Sequence, residues 1–383
     1  MRLAMRLIVD QDERDLAATL GAVLAAECPT LLARALHDPA ARRLPSALWK
    51  ALADTGVLGL GLPEEHGGSG GTLSDLGVFY VEAGRALCPT IVHSTAVAAL
   101  AINALANDGQ RGRWLPQLSS GALRATSALW HPRDAAIVTP VLRAAPGPDG
   151  WRISGATDFV ADADLADAIV IAAGEEQRTL GFVVPLDDPR VRVEPLQLMG
   201  GYRAFRVVFD GVAVSDASAI LDGDDAGLRV DDLRRVANAA VALLCLDLVG
   251  VGEAVLARTV DYTTMRHQFG RPIASFQAAQ HLVANMHIAL AAARLAAHSA
   301  VFWIGRGRTA TRETAVARIQ SATAAKLITL DAHQLHGGMG YVTETDLHLW
   351  SERARVLSTL GGGADVAAVW LESERNLECH QKV

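Results

Sequence analysis

The sequence predicts a mainly α-helical protein with a central β-domain, ordered helices, then sheet, then helices. Three observations carry this reading. From Asp10 to about Leu123 the apolar residues recur at three and four, as in Leu16, Leu20, Val23 and Leu24 and again in Leu48, Leu52 and Val57, the spacing of one helix face. From Ala125 to about Asp222 the pattern changes to short runs of Val, Ile and Phe. From Leu228 to Leu377 the helical period returns. The expected domains are therefore an N-terminal helical domain over 1–123, a middle β-domain over 124–222 and a C-terminal helical bundle over 223–383. A chain of 383 residues, half of them apolar, is long enough for more than one domain. Only 5% are aromatic, which favours helices packed closely on small side chains.

In the first region Gly61–Gly71 interrupts the helices with Pro63 and five glycines, a turn cluster that restarts a helix near Leu73. Cys88-Pro89 ends that helix. In the second, strands are expected over Trp151–Ile153, Ala168–Ala172, Leu180–Val184, Val191–Val193 and Phe205–Phe209. Turn chemistry such as Pro146-Gly147-Pro148 and Asp187-Asp188-Pro189 separates them, and a small antiparallel sheet or barrel fits best. In the third, long helices are expected over Val236–Arg266, Phe276–Arg306, Thr311–His336 and Val366–Arg375, with glycines at Gly305, Gly307, Gly337, Gly338 and Gly340 as stops. Four such helices make a bundle.

Charge and cysteine usage narrow the function classes. A formal charge of -7 leaves no basic stripe for nucleic acid to neutralise, so nucleic acid is not an expected partner. Cys28, Cys88, Cys245 and Cys379 are scattered without CxxC spacing and read as thiols of a reducing cytoplasm. The N-terminus reaches acidic residues before it builds an apolar signal segment. The longest apolar stretch, Val236 to Gly252, carries Asn238 and Asp247 and reads as a buried core helix rather than a membrane span. His281, His287 and His298 lack metal-ligand spacing with a carboxylate, and no metal is expected.

Two strings stand out. Arg266-His267-Gln268-Phe269-Gly270-Arg271-Pro272-Ile273, followed by Phe276-Gln277, lies at the break between two expected helices. A cation at one helix end, an amide at the start of the next and a glycine turn between them suit a diphosphate and its nucleoside. They equally suit an Arg cap with a helix–helix turn. Gln334-Leu335-His336-Gly337-Gly338-Met339-Gly340-Tyr341 runs a helix end into glycines that let backbone approach a ligand or make a tight turn. Neither string follows a strand, and no GxGxxG or GxxxxGK[ST] occurs, which disfavours a Rossmann or P-loop site.

Taken together, these strings resemble the C-terminal signature of the acyl-CoA dehydrogenase family. GLGLPEEHGGSGGTLSDL, RWLPQLSSGAL and EPLQLMGGYRAFRVVFDGVAV follow in the family's order, so the resemblance spans the chain. It implies an acyl-CoA dehydrogenase-like fold with a β-barrel-like middle domain and a C-terminal four-helix bundle. It also implies FAD bound at a subunit interface, the adenosine diphosphate end held by the neighbouring chain. On that resemblance Arg266, Gln277, Gln334, Leu335, His336, Gly337 and Gly338 reach into the neighbour's FAD. The implied reaction is α,β-desaturation of an acyl-CoA thioester: a carboxylate takes the α-proton while the flavin accepts the β-hydride. An electron-transfer flavoprotein is a candidate acceptor of the electrons.

The family's usual base, in a Tyr-Glu-Gly-Thr string after an Arg-Val pair, falls here on Gly361. The alternative Glu of a family subset, on the first long bundle helix, falls on Ala240. The substrate-contacting Asp and Arg of that helix match Asn238 and Val241. The Thr-Glu-Pro loop is replaced by Trp130-His131-Pro132 and Asp134-Ala135-Ala136-Ile137, and the flavin-stacking Trp-Ile-Thr-Asn by Phe159-Val160-Ala161-Asp162.

Asp365, about 6 Å beyond Gly361 if that segment is helical, is the candidate substitute base; otherwise it is a helix-start carboxylate. A nitroalkane-oxidising branch of the fold uses an Asp. Asp247 is about 10 Å from Ala240 along the helix, too far for a simple replacement. His348 matches an Asp-x-His string of steroid-degrading branches, or is packed at a helix start. The leading expectation is a base-lacking subunit of a heteromeric acyl-CoA dehydrogenase, paired with a homologous chain as in branches acting on steroid side-chain thioesters. The alternatives are a self-sufficient homo-oligomeric dehydrogenase or oxidase using Asp365, and a non-enzymatic CoA-thioester-binding scaffold.

Overall fold

A computed structural model describes residues 11–36, 44–148, 150–198, 202–215, 220–221 and 227–380. The N-terminal stretch read for a signal segment, the Met199-Gly200-Gly201 part of the string ending the sheet, and the expected boundary at 222 lie outside them.

Six helices come first: α1 Gln11–Glu27, α2 Thr30–Leu36, α3 Ser46–Asp54, α4 Leu73–Ala86, α5 Ile91–Leu105 and α6 Asp108–Ser119. The glycine cluster hands over to α4 as expected. Thr72 Oγ1 accepts from the Asp75 amide at 3.2 Å while Asp75 accepts from the Thr72 amide at 2.7 Å. This reciprocal cap satisfies two of the helix's orphan donors. Leu87, at φ 56°, turns the chain out before Cys88-Pro89.

Eight strands form one sheet in the order β6-β7-β3-β2-β4-β5-β8, with β1 also on β4. The strands are β1 Ala125–Ala128, β2 Leu142–Gly147, β3 Gly150–Ala161, β4 Ala168–Glu175, β5 Arg178–Pro185, β6 Val191–Leu196, β7 Ala204–Val214 and β8 Ile220–Leu221. All five expected runs are strands, but the sheet is mixed rather than antiparallel. β1 and β2 both run parallel to β4, at its two ends, so the chain between them, 129–141, loops out of the sheet. That loop helps build the site. In β4, Ala168, Val170 and Ala172 pack with the apolar face of α5, while Ile169, Ile171 and Ala173 pack inside the curled sheet against Phe182 and Phe205. A strand covered on both faces reads as an unbroken apolar run.

The C-terminal region holds α7 Val230–Met265, α8 Gln277–Ile304, α9 Thr311–His336, α10 Leu347–Leu357 and α11 Ala364–His380. The three long helices pack on one another and α11 lies along α9; the short α10 is not among the four long helices expected. Every residue from Val236 to Gly252 is buried. By length and composition α7 and α8 could each cross a membrane, with mean hydropathy 2.1 and 1.3 over their most apolar windows, but 83% of the α7 window is buried inside the fold and 33% of the α8 window. α7 also packs against α4 at glycine contacts: a Cβ on Gly84 would lie 2.0 Å from the Asp247 carbonyl oxygen, and one on Gly250 1.9 Å from that of Val81. Cys28, Cys88 and Cys245 are free and buried.

Candidate active site

The sheet, α5 and α7 line a half-open cavity of about 100 Å³. His93 reaches it from α5, Trp130 and Pro132 from the 129–141 loop, Phe159 from β3, Ala240 and Val241 from α7, and Gly361 from the turn after α10. A second hollow of about 240 Å³, beside Arg133, Thr139 and Phe159, shares the wall formed by Trp130 and Phe159. Two positions 121 residues apart in sequence, Ala240 and Gly361, thus face one space.

Neither supplies a carboxylate, and the geometry around Gly361 resists one. Gly361 has φ +69°, and a Cβ there would stand 3.1 Å from Val241 Cγ2 and 3.5 Å from Ala135 Cβ. Its amide donates to the Pro132 carbonyl at 2.9 Å and its carbonyl accepts from the Ala135 amide at 2.8 Å. Trp370 Nε1 donates to Asp134 at 2.8 Å. Arg318, wholly buried, donates from Nε to the Gly362 carbonyl at 2.8 Å and from its guanidinium to the Leu360 carbonyl. The turn at the base position is thereby stapled to the loop from the sheet and to α9.

The other replaced pocket residues have structural work. Asn238 turns from the cavity and donates to the Thr309 carbonyl at 2.8 Å and to Thr311 at 3.3 Å, at the start of α9. Asp247 is held by Arg353 at 2.9 and 2.5 Å, and Arg353 also donates to the Cys88 carbonyl at 2.8 Å. Phe159, at φ 57°, lies under the Arg133 guanidinium, 5.1 Å from its ring centroid. Asp162, also at positive φ, is buried and accepts from Thr90 at 2.9 Å and Ser94 at 2.7 Å. Burial pushes its carboxyl up to about 6, against the pull of those two hydroxyls.

Asp365 is exposed in the first turn of α11 and is not part of the cavity wall, so the helix-start reading describes it. His348 is half-buried in the first turn of α10 and is likewise absent from the wall. The carboxylate that does line the cavity is Asp158, which sequence reasoning passed over; it is exposed and paired with Arg206 at 3.3 Å. No strand period marks it: Thr157, Asp158 and Phe159 all line the cavity, where the register of β3 shifts between Thr157 and Val160. Among the described residues no cluster of three or more His, Cys, Asp or Glu could hold a metal.

At the far side of the bundle, a two-stranded hairpin, β9 His267–Gln268 with β10 Arg271–Pro272, returns the chain so that the Ile273 amide donates to the Arg266 carbonyl at 2.9 Å. Gln277 opens α8 four residues later. Tyr262, one turn before Arg266, stacks on His336 at 4.3 Å and donates to its carbonyl at 3.3 Å, which brings the end of α9 beside this corner. Arg266, Gln277 and Gln334 are exposed. Gly337 has φ 57° and ψ -135°, and a Cβ on Gly337 or Gly338 would meet nothing within 4 Å. Cation, amides and open glycine backbone therefore face outward, the donor set a diphosphate and nucleoside require. His336 departs from the sequence expectation: its ring is buried against Tyr262 and Nδ1 donates to the Ala332 carbonyl at 2.8 Å. Leu335 is half-buried. Phe269, 93% exposed, projects from the hairpin.

A helical domain, a curled sheet and a helical bundle closing on one cavity define a flavoenzyme-type architecture of the acyl-CoA dehydrogenase kind. Residues 10–122 match the acyl-CoA dehydrogenase N-terminal domain and residues 233–369 its C-terminal domain. Acyl-CoA dehydrogenase FadE12 of Mycobacterium tuberculosis is 30% identical over 326 residues, covering 81% of this chain and 83% of that protein. Acyl-CoA dehydrogenase IpdE2 of the same species is 31% identical over 318 residues, covering 82% and 81%. Among solved structures, a variant of the Tcur3481-Tcur3483 steroid ACAD superposes with TM-score 0.87 at 27% identity, over 97% of this chain and all of that one. The ChsE4-ChsE5 complex of M. tuberculosis gives TM-score 0.87 at 25% identity, over 97% and 99%. The chain belongs to the acyl-CoA dehydrogenase family, whose members are FAD-dependent oxidoreductases.

Proposed function

We propose that this chain is the FAD-clamping subunit of a heteromeric acyl-CoA dehydrogenase, and that a homologous partner chain supplies the catalytic carboxylate and seats the flavin ring. The carrying observation is that Gly361 and Ala240 face the same cavity and neither bears a carboxylate. Arg266, Gln277 and Gln334 are exposed and, like Gly337 and Gly338, take no part in the cavity wall, which leaves them open to a neighbouring chain. Arg266 would pair with the diphosphate, Gln277 and Gln334 would hydrogen-bond its ends, and Gly337 and Gly338 would let backbone amides approach.

FAD, when bound, supplies the hydride acceptor for desaturation of the thioester. The α-proton needs a base within reach of the α-carbon, and this chain's two inherited positions for one are a glycine and an alanine. Asp158 is committed to Arg206. The likeness to a steroid ACAD and to a complex of two named chains supports a bulky side-chain thioester as substrate class and two kinds of subunit; work in the cytoplasm and an electron-transfer flavoprotein as acceptor complete the proposal.

The test is co-expression with the homologous chain, pull-down and measurement of flavin per subunit. One FAD per two chains is expected. If the chain purified alone holds one FAD per chain and desaturates acyl-CoA, the proposal fails.

A further inference from the structure

The cavity contains a donor that the fold leaves unused. His93 Nδ1 and Tyr80 Oη are 2.8 Å apart, with the rings edge to face at 5.5 Å. Burial, helped by the guanidinium groups of Arg353 and Arg318, holds the imidazole down to about 3, so the ring carries one proton. Its position follows from Tyr80. That residue is 2% exposed, and its hydroxyl has no other acceptor among the described residues. Were Nδ1 protonated, the Tyr80 proton would be stranded in the core, at a cost of about 1–3 kcal/mol. Tyr80 therefore donates to Nδ1, and Nε2 carries the hydrogen.

No described residue accepts from Nε2, while His93 lines the cavity. Of the hydroxyls around it, Ser94 donates to Asp162 and Thr126 donates to the Ala161 carbonyl at 2.6 Å, while Ser127, Thr157 and Tyr202 also line the wall. Among the described residues no Lys or Arg lines the cavity, and the one carboxylate that does is Asp158. An anion entering would lose its hydration without a counter-charge, which is costly; a neutral acceptor would not. The remaining wall includes Val97, Leu129 and Leu244. At about 100 Å³ the space is smaller than the roughly 150 Å³ apolar cavity that holds benzene.

We propose that this cavity binds a small uncharged group bearing a carbonyl oxygen, which accepts a hydrogen bond from His93 Nε2 while Tyr80 fixes the tautomer that offers it. His93 is then a specificity-determining residue and Tyr80 a positioning one. The assignment is independent of which chain performs desaturation.

The experiment titrates the protein, in the complex in which it purifies, with cyclobutanone, cyclobutanol and methylenecyclobutane, none larger than benzene, by calorimetry. Cyclobutanone is expected to bind about tenfold more tightly than methylenecyclobutane, the worth of one hydrogen bond. His93→Leu removes that preference and still binds methylenecyclobutane, which shows the cavity intact. Tyr80→Phe frees Nδ1 to take the proton, so the preference for the ketone over the alcohol falls. Equal affinity for ketone and alkene in the native protein, a ketone preference that survives His93→Leu, or no binding of any probe overturns the proposal.

Discussion

Val241 and Gly361 meet across the cavity, with Val241 Cγ2 3.1 Å from where a Cβ on Gly361 would stand. The left-handed backbone at Gly361 alone costs a side chain about 1–2 kcal/mol, and the contact with Val241 adds crowding. Restoring the family carboxylate as Gly361→Glu is therefore expected to lower the melting temperature of the complex and to give this chain no turnover of its own. A variant that melts with the native protein and desaturates acyl-CoA would show the position to be open.

Arg266 is exposed, and among the described residues no hydrogen bond or ion pair holds its side chain. Arg266→Ala should leave the thermal melt of the isolated chain unchanged while reducing the flavin that co-purifies with the partner complex. Flavin absorbance at constant protein is the readout, and unchanged flavin content would favour a scaffold without a cofactor role.

The two carboxylates nearest to serving as substitute bases are predicted to be dispensable. Asp158→Asn and Asp365→Asn should each retain turnover of the assembled enzyme, because one is paired with Arg206 and the other lies outside the cavity. Loss of turnover with flavin retained, in either variant, would transfer the base to this chain.

Asp247 and Arg353 form a buried pair whose side chains are 4% and 14% exposed. Arg353→Leu strands the Asp247 carboxylate and leaves the Cys88 carbonyl short of a donor, so a loss of about 3–5 kcal/mol is expected. The double change Asp247→Leu with Arg353→Leu should recover much of it, as read by denaturant melts. If the double variant is as weak as the single, the penalty comes from packing instead.

Asp162 titrates near 6 in the fold against an ordinary 3.8. A carboxyl that holds its proton more tightly folded than unfolded gives stability that is complete below the unfolded value and is lost as pH rises through about 6. The amount is about 3 kcal/mol. Denaturant melts at about pH 4 and pH 7 should show a smaller decline for Asp162→Asn than for the native protein; equal declines would mean that Asp162 is ionised in the fold throughout.

Much of this architecture was legible because it depends on local pattern. The helix Thr311–His336 begins and ends where expected, since Gly337 and Gly338 halt a well-formed period. β2 was missed because Arg143-Ala144-Ala145-Pro146 has little strand propensity and is ordered by its neighbours β3 and β4. The parallel placement of β1 and β2 on β4 was illegible for the same reason, being a property of tertiary pairing. At the site, Gly361 and Ala240 fell on the cavity as the family register implied, whereas Asp365 did not, because the chain from Gly361 to Gly363 is a turn rather than a helix. Asn238, read as the replacement of a substrate-contacting Asp, bonds at the start of α9, and the ring of His336 packs on Tyr262. The Tyr80–His93 pair spans a helix break and the Asp162–Ser94 contact spans 68 residues; no periodicity reports either.

The staple between Gly361 and the Pro132–Ala135 loop bears on how such a subunit can change. Each of its bonds uses main chain, so no change of side chain short of proline removes a donor, and the Arg318 contacts hold the same turn from α9. A carboxylate could return to this turn only if Val241 gave way and a side chain took up the left-handed backbone of Gly361. On the proposed function the loss behaves as a ratchet: a stretch in the register of the family's base serves as framework here, and dependence on a partner would follow from the contact between turn and loop.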